Sequence, residues 1–131
     1  MMLFIDTTAF FAVLDEDDQQ HAPALNLWVN LLEQKSKLIT SNYVLLETSA
    51  LLQRRIGLTA VMDIWKITPL LQVDWLTADQ HRIAVNYLIT TNRRRLSLVD
   101  CTSFETMRRL GIHQVFTFDK HFTEQGFEVI P

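Results

Sequence analysis

Leu3-Phe4-Ile5-Asp6-Thr7-Thr8-Ala9 is an apolar run that stops at a carboxylate. A run so short and so apolar reads as a strand covered on both faces, after which Thr7-Thr8 opens a helical pattern through Phe10, Phe11, Val13 and Leu14. Asp6 then stands at the strand's carboxyl end, where open parallel sheets collect ligands. Capping of the following helix is the competing role for Asp6. Three further acids bear on the choice.

The same alternation continues down the chain. Beyond the acidic turn Asp15 to Asp18, residues Leu25, Trp28, Val29 and Leu32 predict an amphipathic helix, with Asp18 as its cap and Pro23 in its first turn. Lys37 to Thr40 predicts a second strand, and Ser41-Asn42 caps a helix over 43–55. Gly57 ends that helix, and another carrying Leu58, Val61, Met62 and Trp65 stops near Pro69. Leu70 to Leu76 has strand character, Thr77 caps a helix over 77–91, and His81 falls on that helix's surface. Ser97 caps a helix closed by Gly111, Val115 to Phe118 is a fourth strand, and a short helical turn at Lys120 to Phe122 precedes a last strand at Phe127 to Ile130. Strands alternating with helices give an α/β fold, a three-layer α/β/α sandwich with a mostly parallel sheet of about five strands.

At 131 residues, 48% hydrophobic and 21% charged, the chain supports one core, and a single domain over 1–131 is expected. No apolar run approaches the ~20 residues of a membrane span, and the start has neither a basic leader nor a cleavage site. A cytoplasmic protein is expected, in keeping with its single cysteine, Cys101, which reads as a small buried hydrophobe. The net charge of −3 excludes a surface that is basic all over. Setting aside four acids as a cation site leaves +1, and Arg93-Arg94-Arg95 forms a local basic connection suited to a phosphate backbone.

Three acids besides Asp6 stand where function is expected. Glu47 shares the stripe of Val44, Thr48, Leu51 and Leu52, and an inward glutamate calls for an arginine, a metal or a raised pKa. A shift in helix phase would instead leave Glu47 at the stripe's edge. Asp100 lies in the first turn of its helix on the face of Leu96, Val99, Ser103, Met107 and Leu110, and Asp119 follows the fourth strand as Asp6 follows the first. Asp74 has apolar residues on both sides and is left out. Four carboxylates gathered at one sheet edge repel one another unless cations share the space. All-oxygen ligation favours Mg²⁺ or Mn²⁺, which activate water and stabilise a leaving oxygen in phosphodiester hydrolysis.

The ordered motifs Phe-Ile-Asp6-Thr-Thr-Ala, Asn42-Tyr-Val-Leu-Leu-Glu47, Leu98-Val-Asp100-Cys-Thr-Ser and Thr117-Phe-Asp119-Lys-His-Phe resemble the PIN domain over essentially the whole chain. In length and arrangement they resemble the single-domain VapC-type ribonuclease toxins. The resemblance implies that Asp6, Glu47, Asp100 and Asp119 hold Mg²⁺ or Mn²⁺ for endoribonuclease chemistry, with Asp6 and Asp100 the firmest ligands. It also implies orienting roles for Thr7, Ser103 and Thr117, an RNA substrate, a homodimer, and a cognate antitoxin whose peptide crosses the cleft and presents an arginine. Cys101 departs from the alanine common after the third acid, and Asp15 to Asp18 is more acidic than a loop facing RNA should be. The alternatives are a PIN-type nuclease of RNA processing or decay and an inactive PIN scaffold binding RNA or a protein. A receiver-like domain would need paired acids after the first strand and a phosphoacceptor aspartate after a middle strand, and neither is evident.

Overall fold

The computed structural model describes all 131 residues. In chain order the elements are β1 (Met2–Ile5), α1 (Thr7–Leu14), α2 (His21–Glu33), β2 (Lys37–Ser41), α3 (Asn42–Arg55), α4 (Leu58–Ile67), a 3₁₀ turn at Thr68–Leu70, β3 (Gln72–Asp74), α5 (Ala78–Thr91), α6 (Leu98–Leu110), β4 (Gln114–Phe116), α7 (His121–Glu124) and β5 (Glu128–Ile130). The five strands form one parallel sheet in the order β3-β2-β1-β4-β5. Parallel neighbours need crossovers, and their right-handedness places α1 to α4 over one face and α5 to α7 over the other. Helix contacts largely follow this division, with α1 touching α2, α3 and α4, and α5 touching α6; α3 also meets α6.

β1 lies at the centre because Leu3, Phe4 and Ile5 are all fully buried. Phe4 is in register with Ile39 on one side and Val115 on the other. Chain direction across the sheet reverses between β1 and β4, so the crevice beyond their carboxyl ends is the topological switch point, the usual ligand position in such sheets. Asp6 follows β1 there, and its backbone N–H is bonded to the Phe116 carbonyl at the end of β4.

Several boundaries differ from the sequence expectation. The apolar stretch 70–76 contributes only Gln72–Asp74 to the sheet, because Thr68–Leu70 forms a 3₁₀ turn around Pro69. β4 ends at Phe116, the Thr117 N–H makes a last bond to the Ile130 carbonyl of β5, and the chain then leaves the sheet and carries Asp119 away from the strand. On α2, Ala24, Trp28 and Leu31 are buried, whereas Leu25, Val29 and Leu32 are 36–43% exposed. The indole of Trp28 meets Phe10 edge to face and so sets the rotation of α2. Asp18 does not cap α2, whose N-cap is Gln20; its carboxylate instead accepts the Gln20 N–H in the preceding turn. His81 is half-buried, its Nδ1 bonded to the Tyr43 hydroxyl.

Candidate active site

Asp6 occupies the N-cap position of α1, yet its carboxylate makes no capping bond. Instead Oδ2 accepts from the Thr117 hydroxyl at 2.8 Å and from the Thr8 hydroxyl at 3.2 Å. Thr8 Oγ1 also lies 3.0 Å from Thr117 Oγ1 and accepts the Phe118 N–H at 2.9 Å, which ties the start of α1 to the loop after β4. Asp6 is 2% exposed. Burial pushes its pKa up to about 7, against the Thr117 hydrogen bond, with further upward pressure from the charges of Asp100 and Asp119.

Asp100 comes from the opposite layer. Ser97 Oγ accepts the Asp100 N–H at 3.0 Å, and the Asp100 carboxylate accepts the Ser97 N–H at 3.2 Å, a reciprocal cap that fixes α6 and its acid together. Ser97→Ala removes one half of that cap and is expected to lower stability by about 1 kcal/mol in a thermal melt. Burial raises the Asp100 pKa, offset by the Ser97 hydrogen bonds, and nearby Asp119 raises it further.

Asp119 arrives through the loop after β4. Its N–H donates to Thr117 Oγ1 at 3.0 Å and its Oδ1 accepts the His121 N–H at 2.9 Å, a tight turn that starts α7. That turn brings His121 Nδ1 to 3.1 Å from Asp119 Oδ1 and 3.6 Å from Asp100 Oδ2. Asp100, Asp119 and His121 each offer one donor atom within 4.8 Å of the others. His121 was not among the sequence candidates. Its two-residue offset from Asp119 was the available signal, and Phe122, fully buried against Phe104, is the side chain that orients the turn.

Glu47 does not lie in the inward stripe of α3. The buried residues of that helix are Val44, Leu45, Thr48 and Leu52, and Glu47 sits half-exposed on their flank, the phase shift named above. It lines an open groove of about 420 Å³ with Thr7, Thr8, Ala50, Leu51 and Arg54. Neither Glu47 nor Asp6, expected to be one of the firmest ligands, is among the three residues whose donor atoms converge, although Asp6 lies near enough to feel the charges of Asp100 and Asp119. Thr7 is buried and its hydroxyl accepts from Thr48 at 3.3 Å, whereas the fully buried Ser103 hydroxyl has no partner. Arg93, Arg94 and Arg95 are exposed in the turn before α6, and Arg93 reaches Glu124 of α7 at 2.8 Å. The basic connection is thereby tied to α7, whose first residue is His121.

No lysine or arginine neutralises the cleft. Arg109 pairs with Asp74 and Glu105, and Arg93 with Glu124, leaving His121 as the one potentially cationic side chain in ion-pair range of Asp100 and Asp119. Carboxylates so short of counter-charge, Asp100 buried and Asp119 half-buried, fit a divalent cation of oxygen preference. Cys101, beside Asp100, is buried and its pKa is raised to about 11 by burial and by that charge, so it remains a neutral thiol. No helix is long and apolar enough to cross a membrane.

The PIN domain pattern matches residues 3–128. Over 133 positions the chain is 36% identical to the 23S rRNA-specific endonuclease VapC20 of Mycobacterium tuberculosis, with 99% of each chain covered. The crystal structure of that organism's VapC20, described as a sarcin-ricin loop cleaving toxin, has a TM-score of 0.87 at 35% identity over 95% of each chain. A chain of VapBC2 from Rickettsia felis has a TM-score of 0.72 at 11% identity, covering 99% of this chain and 98% of that one, a likeness of fold alone.

Proposed function

The chain belongs to the PIN domain family, and from that premise we propose that its 131 residues form one nuclease domain, a divalent-metal-dependent endoribonuclease acting as the toxin of a type II toxin–antitoxin pair. The observation that supports this reading is a set of carboxylates at the switch point of the sheet, Asp6 and Asp100 buried and Asp119 half-buried, with no lysine or arginine to balance them. Asp6, Asp100 and Asp119 would hold Mg²⁺ or Mn²⁺, with Glu47 approaching from the neighbouring groove. The ion supplies Lewis acidity and neutralises charge on the scissile phosphodiester. The protein's part is positional: Thr117 and Thr8 fix Asp6, Ser97 fixes Asp100, and the turn into α7 fixes Asp119. Thr7 and Ser103 would orient water at the ion, since the Thr7 hydroxyl bonds Thr48, the Ser103 hydroxyl is unpartnered, and neither bonds a carboxylate.

The proposed substrate is 23S rRNA at the sarcin–ricin loop, the target named for the relative at 36% identity. Intact ribosomes incubated with the protein and Mn²⁺ should show one new 23S rRNA end by primer extension, lost with EDTA. An unchanged rRNA together with cleavage of other RNAs would replace the substrate and keep the chemistry. Arg93, Arg94 and Arg95 would bind the RNA backbone. Joint replacement of Arg94 and Arg95 by alanine should weaken RNA binding roughly tenfold and reduce the slope of log affinity against log salt by about 1 to 2.

A cognate antitoxin and a homodimer partner follow from the same family reading. They are supported by Leu46, Trp65 and Trp75, each 55–71% exposed around one apolar groove, more than a lone surface would usually gather in one place.

A further inference from the structure

We infer that His121 supplies a nitrogen donor to the ion in the acidic cleft, which makes the centre a mixed nitrogen–oxygen site favouring Mn²⁺ over Mg²⁺. This rests on the proposed metal site and adds a ligand to it. The four histidines are used differently. Nδ1 of His21 is bonded to the Ala12 carbonyl and Nδ1 of His81 to the Tyr43 hydroxyl, and His113 is exposed. Nδ1 of His121 is buried, faces two carboxylates, and has no aligned hydrogen bond to either.

Its separations suit shared coordination. Adjacent donors around a six-coordinate ion of this size stand about 3 Å apart, the bond length multiplied by √2. Nδ1 lies 3.1 Å from Asp119 Oδ1 and 3.6 Å from Asp100 Oδ2. The backbone holds the ring in place: the turn closed by Asp119 Oδ1 fixes the Cα of His121, and Phe122 is anchored on Phe104, one turn beyond Asp100 on α6. An imidazole donor raises affinity for transition ions more than for Mg²⁺, whose preference is for oxygen.

The test is pulsed electron paramagnetic resonance of the full chain loaded with Mn²⁺, with ¹⁵N placed only in histidine. The expected spectrum shows coupling to one directly bound histidine nitrogen. In His121→Gln that coupling disappears, Mn²⁺ affinity falls roughly tenfold, and Mg²⁺ affinity changes by less than about twofold. Mn²⁺ bound without histidine coupling in the wild type, or coupling that survives in His121→Gln, overturns the inference and leaves the carboxylate site standing. The wild-type spectrum decides this even if the variant folds poorly. If Mn²⁺ does not bind, or binds with an affinity indifferent to Asp100→Asn, the underlying metal site and the inference fall together.

Discussion

Asp100→Asn is expected to lower RNA cleavage by roughly 10²–10³-fold or more while leaving the folded protein at least as stable as the wild type. The substitution keeps the side chain's shape and its carbonyl oxygen, so the Ser97 N–H, now 3.2 Å from Oδ2, keeps an acceptor and the cap of α6 survives. What disappears is a negative charge whose burial is costly and which Asp119 opposes. Stability and activity therefore move apart, the signature of a charge kept for a ligand. Cleavage measured alongside thermal melting separates the outcomes. Undiminished cleavage removes Asp100 from the chemistry, and a large drop in melting temperature assigns it to the architecture instead.

The second large effect is a dependence of stability on pH whose sign reverses with metal. Asp6 titrates at about 7 in the folded protein against 3.8 in the unfolded chain, so between those values the folded state holds the extra proton. Its contribution to stability is then fully present below pH 3.8 and is lost as pH rises through 7. A shift of this size corresponds to roughly 4 kcal/mol between its limits. Asp100 shifts in the same direction. In EDTA the melting temperature of the wild type should fall from pH 5 to pH 8 relative to that of Asp6→Asn, which lacks the titrating group. Mn²⁺ requires the deprotonated carboxylate, so its stabilising effect should grow over the same interval, reaching about 3 kcal/mol at a hundredfold excess over its dissociation constant. Parallel curves for wild type and Asp6→Asn would show that Asp6 does not carry the linkage.

The sheet and most helix starts were legible because they are set by local chemistry. The run Leu3-Phe4-Ile5 is too apolar to lie anywhere but the middle of the sheet, and Ser41, Thr77 and Ser97 cap their helices through side-chain bonds to nearby N–H groups. Errors arose where tertiary contacts outweigh local pattern. Leu25, Val29 and Leu32 fit a helical stripe as well as Ala24, Trp28 and Leu31 do, and the contact of Trp28 with Phe10 selects the second set. Glu47 shows the same ambiguity, since one residue of phase separates an inward acid from a flank.

Within the candidate site, Asp6, Asp100 and Asp119 stood out as acids at the ends of apolar runs or in the first turn of a capped helix, a pattern that capping alone also produces, as the bond of Asp100 to Ser97 shows. His121 and Thr8 did not stand out. Their positions follow from the loop Thr117-Phe118, which leaves the sheet where the apolar pattern suggested that it stays, and whose path is set by hydrogen bonds to Thr8 and Asp6. Such bonds join residues more than a hundred positions apart and leave no local periodicity.

The most direct measurement is anomalous diffraction from crystals soaked in Mn²⁺. The predicted result is a single strong peak between Asp100 and Asp119, beyond the carboxyl ends of β1 and β4, with Asp6 facing it. A fully occupied Mn²⁺ peak elsewhere, with these carboxylates holding only protons and solvent, would contradict the metal centre and the nuclease chemistry built on it.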